Sequence, residues 1–121
     1  MAILVKAINK QLLISKIKSH INKGFILSWQ IDNDGDFSLA ENAEKHFWIR
    51  PRLNEEEGEY NLIFGVVGNT EELTSKHTYA IAHTCFTEML LTYFDIDINC
   101  IKISSFAMKY DNLTYTLKKN E

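Results

Sequence analysis

The sequence predicts an α+β fold, a two-layer sandwich in which two helices cover one face of a mainly antiparallel sheet of about five or six strands. Apolar and polar residues alternate in short segments separated by turn residues, which is the pattern of β-hairpins. Two longer segments carry apolar residues at helical spacing on one side only. Such helices and an antiparallel sheet bury their apolar surfaces by packing as two layers. A ferredoxin-like core with an added hairpin is one connectivity that fits.

The first segments predict a strand and a helix. Ala2 to Ala7 is apolar and predicts a strand, although it also fits as an extension of the helix that follows. Asn9 is a typical helix cap, and Gly24 stands where helices commonly end. The predicted helix runs from Lys10 to Asn22. Its apolar stripe consists of Leu13, Ile14, Ile17 and Ile21.

Between the two helical segments the apolar period changes to two. Alternation begins at Phe25 and resumes after Gly35, which predicts a strand, a turn and a second strand. The segments from His46 to Leu53 and from Tyr60 to Gly68 alternate in the same way on either side of an acidic loop, NEEEGE. A second hairpin is therefore expected.

The last third of the chain predicts a long helix followed by strands. Thr74 or Ser75 is positioned to cap the helix. Its apolar stripe consists of Tyr79, Ala82, Phe86, Met89, Leu90 and Tyr93. A strand is expected from Ile98 to Phe106. A short terminal strand is expected around Leu113, Tyr115 and Leu117.

Composition limits the classes of function. A chain of 121 residues with 45% hydrophobic residues is expected to form one domain, 1–121, with a real core. A net charge of −3 argues against a dedicated nucleic-acid binder, which needs a clustered excess of Lys and Arg. Two cysteines without CxxC spacing indicate free thiols and favour the cytoplasm. The apolar run at the start is too short for a membrane helix.

The stretch from Asp32 to Glu41, DNDGDFSLAE, has the acid spacing of a calcium-binding loop in its first five residues. The match fails where it is specific, because position six is Phe37 and position twelve is Ala43. A turn between two strands explains the Asn, Asp and Gly residues directly. We therefore predict a turn and no metal, with weak binding of a divalent ion as the alternative.

No catalytic site is predicted. The four histidines, at positions 20, 46, 77 and 83, show no spacing that brings two of them together or joins one to a cysteine. The chain has no nucleophile elbow, phosphate-binding Gly loop or HExxH motif. We expect no cofactor, and an enzyme is not the leading hypothesis.

The stretch HFWIRPRL is the most informative candidate site. If Phe47, Ile49 and Leu53 face the core, the opposite face carries a row of partner-binding candidates. These are His46, Trp48, Arg50 and Arg52. Trp and Arg are enriched where partner proteins bind, so we predict an exposed interface here. The alternative is that residues of the neighbouring strand, such as Glu59 and Asn61, pair with the arginines. A single-stranded RNA platform fits poorly with the acidic balance.

Acidic loops at strand ends predict a negative rim able to steer a basic partner protein. The candidate residues are Asp32, Asp34, Asp36, Glu55, Glu56 and Glu57. Together these features predict a non-catalytic protein-binding module that occludes or regulates a partner, which is another protein or a second copy of itself. Size, acidity and lack of catalytic motifs also fit an immunity-type toxin neutraliser, by analogy of composition only.

The alternative function is a small-molecule-binding domain or a small enzyme. Its pocket would lie between the sheet and the second helix. The residues expected to line it are Trp29, Tyr79, His83 and Phe86.

Overall fold

The computed structural model describes residues 3–40, 47–54, 58–68 and 76–103. The described strands are β1 (Ile3–Ala7), β2 (Trp29–Ile31), β3 (Phe37–Leu39), β4 (Phe47–Leu53), β5 (Leu62–Gly68) and β6 (Ile98–Ile103). The helices are α1 (Lys10–Asn22) and α2 (Lys76–Phe94), and a 3₁₀ turn (Asp95–Asp97) joins α2 to β6. The predicted terminal strand, together with His46 and residues 55–57, lies outside the described residues.

The six strands form one sheet in the order β2-β3-β4-β5-β1-β6. Every described pairing is antiparallel. Both helices contribute to the same hydrophobic core on one face of the sheet, so the predicted α+β sandwich is confirmed. Without β2 and β3, the elements run β-α-β-β-α-β, which is the order of elements in a ferredoxin-like core. The β2–β3 hairpin extends one edge of this sheet.

Helix α1 has the predicted bounds, and its first turn is capped as the sequence predicts. The side-chain oxygen of Asn9 accepts a hydrogen bond of 3.0 Å from the backbone N–H of Leu12, which satisfies one of the donors left free at a helix start. Leu13 and Ile17 are fully buried against the sheet. The helix therefore covers the sheet with the predicted stripe.

The loop after α1 departs from the prediction. Alternation from Phe25 predicts that Phe25 and Leu27 are buried, yet both are exposed, and Ile26 is buried instead. The reason is local, because Gly24 takes a positive φ of 79° and the N–H groups of Phe25 and Ile26 both donate to the carbonyl oxygen of His20. These bonds close the helix end, and the extended period starts only at Trp29.

Helix α2 buries its apolar side against the sheet. Ala82, Phe86, Met89 and Leu90 are buried as predicted. At the end of the helix, Phe94 is buried and Tyr93 is exposed, which corrects the predicted stripe. Within the described residues, no helix combines the length and the hydrophobicity that crossing a membrane requires.

Aromatic side chains fill the space between the sheet and α2. The ring of Phe86 lies 4.8 Å from that of Phe64 and 5.6 Å from that of Phe37, measured between centroids. Trp29 meets the ring of Phe86 edge to face at 5.0 Å. These separations are those of favourable aromatic pairs, and the four rings tie the β2–β3 hairpin to the rest of the core.

Candidate functional site

The predicted row on β4 lies on one face of the sheet, opposite the helices. Trp48, Arg50 and Arg52 are paired with Val67, Gly65 and Ile63 of β5. Ile49 belongs to the core on the helix side, so the three row residues point away from that core. We call this side of the sheet the outer face.

Trp48 is buried, so the expectation of an exposed Trp is wrong. Its relative exposure is 2%, and Ile63 and Val67 beside it are also buried. Strand alternation assigns a residue to a face but does not tell whether that face is covered. Trp48 therefore belongs to an apolar cluster inside the protein.

Arg50 is held by a buried carboxylate. Its Nε donates to Oδ1 of Asp36, and its Nη2 donates to Oδ2 of the same residue, each at 2.9 Å. The Asp36 side chain has 0% exposure and that of Arg50 has 27%. A two-bond pair of this kind is among the stronger charged contacts in proteins. Arg50 is therefore occupied inside the molecule, and its partner is Asp36 rather than Glu59 or Asn61.

The acidic stretch forms the predicted turn. Oδ1 of Asp32 accepts hydrogen bonds from the N–H groups of Asp34 at 2.9 Å and Asp36 at 3.1 Å. The N–H of Gly35 donates to the carbonyl oxygen of Asp32, and Gly35 has a φ of 83°. Side-chain bonds of Asp to its own turn are typical of this chemistry.

The three aspartates of this turn place one carboxylate oxygen each within 4.8 Å of one another. Both oxygens of Asp36 already bind Arg50, and Asp32 accepts two backbone N–H groups. Arg50 and backbone N–H groups thus already engage two of the three carboxylates, those of Asp36 and Asp32, as expected for a structural turn.

Two further acidic residues, Asp95 and Asp97, lie at the same end of the sheet as this turn. Strand β6 begins at this end, directly after the 3₁₀ turn. Asp97 pairs with Lys16 of α1, with 2.8 Å between Oδ1 and Nζ, whereas Asp95 is exposed. Lys16 of α1 therefore neutralises the negative charge of Asp97 at this end of the sheet. Glu55, Glu56 and Glu57 lie outside the described residues.

Of the residues predicted to line a pocket, Trp29 and Phe86 belong to the hydrophobic core. Trp29 and Phe86 are buried and pack against each other. His83 is also buried, on α2. The side chain of Tyr79 lies outside the described part of the structure.

Within the part of the chain that the structure describes, the outer face carries three exposed cations, Lys6, Arg52 and Lys102, which we call the basic patch. Arg52 is paired with Ile63, Leu4 pairs with both Ile63 and Lys102, and Lys6 pairs with Cys100. The sequence places these cations on three separate strands, so only the strand order brings them together. Strand alternation indicates Arg52, whereas no local sequence pattern indicates Lys6 or Lys102 as its neighbours.

Cys100, which is exposed and paired with Lys6, borders the basic patch, and Tyr60 lies beside Cys100. Partial burial raises the pKa of the Tyr60 phenol above its ordinary value of 10.0, and the neighbouring Cys100 and Glu59 raise it further. A raised phenol pKa means that Tyr60 is neutral at physiological pH. At that pH it acts as a hydrogen-bonding group and adds no negative charge to the patch.

Comparisons with known proteins were made by family model, by sequence and by structure. None finds a match. A fold by itself does not imply a function.

Proposed function

We propose that this chain is a non-catalytic protein-binding module of the cytoplasm, which covers or regulates a partner protein or a second copy of itself. The contact surface is the exposed part of the outer face. The observation that supports this proposal is the basic patch of Lys6, Arg52 and Lys102, three exposed side chains that belong to three strands of one sheet face. Rigid strands hold such groups in fixed relative positions, which favours specific recognition.

The residues assigned to the contact differ from the predicted ones. Trp48 is buried and Arg50 is bonded to Asp36, so neither is proposed to touch a partner. Arg52 keeps its predicted role, and Lys6 and Lys102 join it. Neutralisation of a toxin domain, the narrower form of the hypothesis, remains a prediction.

The alternative function, a small-molecule-binding domain or a small enzyme, has less support. Trp29 and Phe86 contact each other directly in the core.

The test compares tagged wild-type protein with two matched double variants, Arg52→Ala/Lys102→Ala and Lys18→Ala/Lys23→Ala. Each variant removes two positive charges, one pair from the outer face and the other from α1 and the residue that caps its C-terminus. Native mass spectrometry after capture from the source cells is the readout. We expect a stoichiometric partner or dimer that the first variant loses and the second keeps. Wild-type protein that is recovered as a single chain, with or without a bound small molecule, would contradict the proposal.

A further inference from the structure

We infer that the basic patch recognises an acidic, extended segment of the partner protein. This inference rests on the proposed function and specifies its partner. The charge inferred for the partner is opposite to the predicted one. A net charge of −3 and an acidic rim predict a basic partner. The inferred charge differs because the exposed cations lie together on the outer face, whereas the net charge counts the whole chain.

The register of the strands sets the size of the basic patch. Lys6 and Lys102 are diagonal neighbours on β1 and β6, which places their Cα atoms about 7–8 Å apart. Arg52 lies three strands from Lys102 along the row Arg52, Ile63, Leu4, Lys102, or about 14 Å at the usual strand spacing. The patch is thus a triangle of cations around the half-buried Leu4 and the buried Ile63, so a partner meets the three charged side chains.

The described acids near this triangle do not cancel it. Asp36 is buried and already paired with Arg50. Glu59 is exposed and lies close enough to Tyr60 to raise its pKa, so it is the described acid that borders the patch. None of the three cations forms an ion pair with a residue in the described ranges. Among the described residues, the exposed part of the outer face therefore carries more positive than negative charge.

The spacing fits carboxylates on an extended chain. Alternate residues of a strand project to the same side about 7 Å apart, which matches the distance between Lys6 and Lys102. Arg52 offers the planar group that binds a carboxylate through two hydrogen bonds.

A nucleic acid fits this surface less well. Its phosphates form a dense, continuous row of charge, and binding requires many cations along that row. The patch supplies three cations on a chain with a net charge of −3, which favours an acidic protein segment over a long polyanion.

The test uses a decaglutamate peptide as the probe, with a decalysine peptide and a thymidine decamer for comparison. Each is titrated into isotopically labelled full-length protein at about 10 mM salt, where charge interactions are weakly screened. Amide chemical shifts locate the contact on the wild-type protein without any substitution. We expect decaglutamate to shift the amides of Lys6, Arg52, Cys100 and Lys102, and the shifts to weaken steeply at about 300 mM salt.

Three variants test whether positive charge on the basic patch attracts the acidic peptide. Lys6→Gln/Lys102→Gln should weaken decaglutamate binding about fivefold, as expected for losing two exposed charge contacts. The matched Lys18→Gln/Lys23→Gln variant should bind as the wild type does. Glu59→Gln removes the bordering negative charge and should strengthen binding, a change that damage to the fold would not produce.

Several results would overturn the inference. These are absence of decaglutamate binding at low salt, shifts that map to Lys18 and Lys23, preference for decalysine, or binding of the thymidine decamer as tight as that of decaglutamate. Failure of the proposed function is a separate result, because it is read from the mass of the captured complex. A stoichiometric partner captured through Arg52 and Lys102, with no response to decaglutamate, would leave the function standing and remove only the acidic partner.

Discussion

Replacement of Arg50 by Met should be among the most damaging substitutions on the outer face. The Asp36 carboxylate has 0% exposure and receives two hydrogen bonds of 2.9 Å from Arg50. Without the guanidinium, a negative charge stays buried without its cation. Breaking a buried pair from this side costs about 3–5 kcal/mol of unfolding free energy.

The reverse substitution, Asp36→Asn, should cost less. It leaves the Arg50 side chain, which is 27% exposed, so the guanidinium can still reach water. We expect a loss of about 1–3 kcal/mol, the usual cost of losing a hydrogen bond to a charged group. The asymmetry follows from the exposures of the two partners and does not depend on the strength of the contact.

The double variant Asp36→Asn/Arg50→Met completes the cycle. With both charges removed, neither is left buried without its partner, so the cost should be smaller than the sum of the two single costs by about 2 kcal/mol. Urea unfolding of all four proteins at neutral pH measures these differences, provided that the slope with denaturant is unchanged. An Arg50→Met cost no larger than that of Asp36→Asn, or costs that add within about 0.5 kcal/mol, would refute the reasoning.

Three other predictions concern the core, the cap and the phenol. Phe86→Ala should lower the unfolding free energy by about 3–5 kcal/mol, because Phe86 is fully buried and its ring contacts Trp29. A loss of less than about 1 kcal/mol in urea unfolding would show that this ring is not central to the core. Asn9→Ala should cost about 1 kcal/mol through loss of the cap, and Asn9→Ser should recover most of it; equal stability of all three proteins in thermal unfolding would contradict the role of the cap. Spectrophotometric titration should place the pKa of Tyr60 above 10.0, and Cys100→Ala should move it back toward that value. Because the pKa of Tyr60 is raised on folding, the stability linked to its protonation is fully present below the ordinary pKa of 10.0. This stability is lost as the pH rises through the pKa of the folded protein. An unchanged pKa of Tyr60 in Cys100→Ala would contradict the contact between Tyr60 and Cys100.

The sequence predicted the fold where the signals were local. The bounds of α1 follow from the Asn9 cap and from apolar residues at helical spacing, and the structure confirms them. The β4 strand was expected because it alternates over seven residues. In these segments, local preference and the buried face agree.

Prediction failed where two local signals disagreed. From Phe25 to Ser28 the apolar pattern indicates a strand, but Gly24 allows a left-handed turn that keeps the chain bonded to the end of α1. The backbone bonds decide the outcome, so Ile26 is buried and Phe25 is exposed. A periodic pattern so close to a helix end is therefore weak grounds for a strand.

The candidate site was predictable only in part, because it depends on contacts between strands distant in sequence. Alternation correctly groups Trp48, Arg50 and Arg52 on one face. The pairing of β3 with β4, which aligns Phe37 with Ile49, is what brings Asp36 beside Arg50. Composition carries no information on such pairings, and the burial of Trp48 could not be read from its own strand.

Net charge is a poor guide to the sign of an interaction surface in this chain. The described acids lie mainly in turns at one end of the sheet, where Arg50 and Lys16 pair with Asp36 and Asp97. The strand order β4-β5-β1-β6 brings the exposed cations Lys6, Arg52 and Lys102 together on the outer face. A partner approaching from a distance meets the field of the whole molecule, whereas a bound partner meets the local charges. Raising the salt concentration should therefore affect the two stages in opposite directions for an acidic segment, since it screens the long-range repulsion that slows association and weakens the short-range attraction at the basic patch.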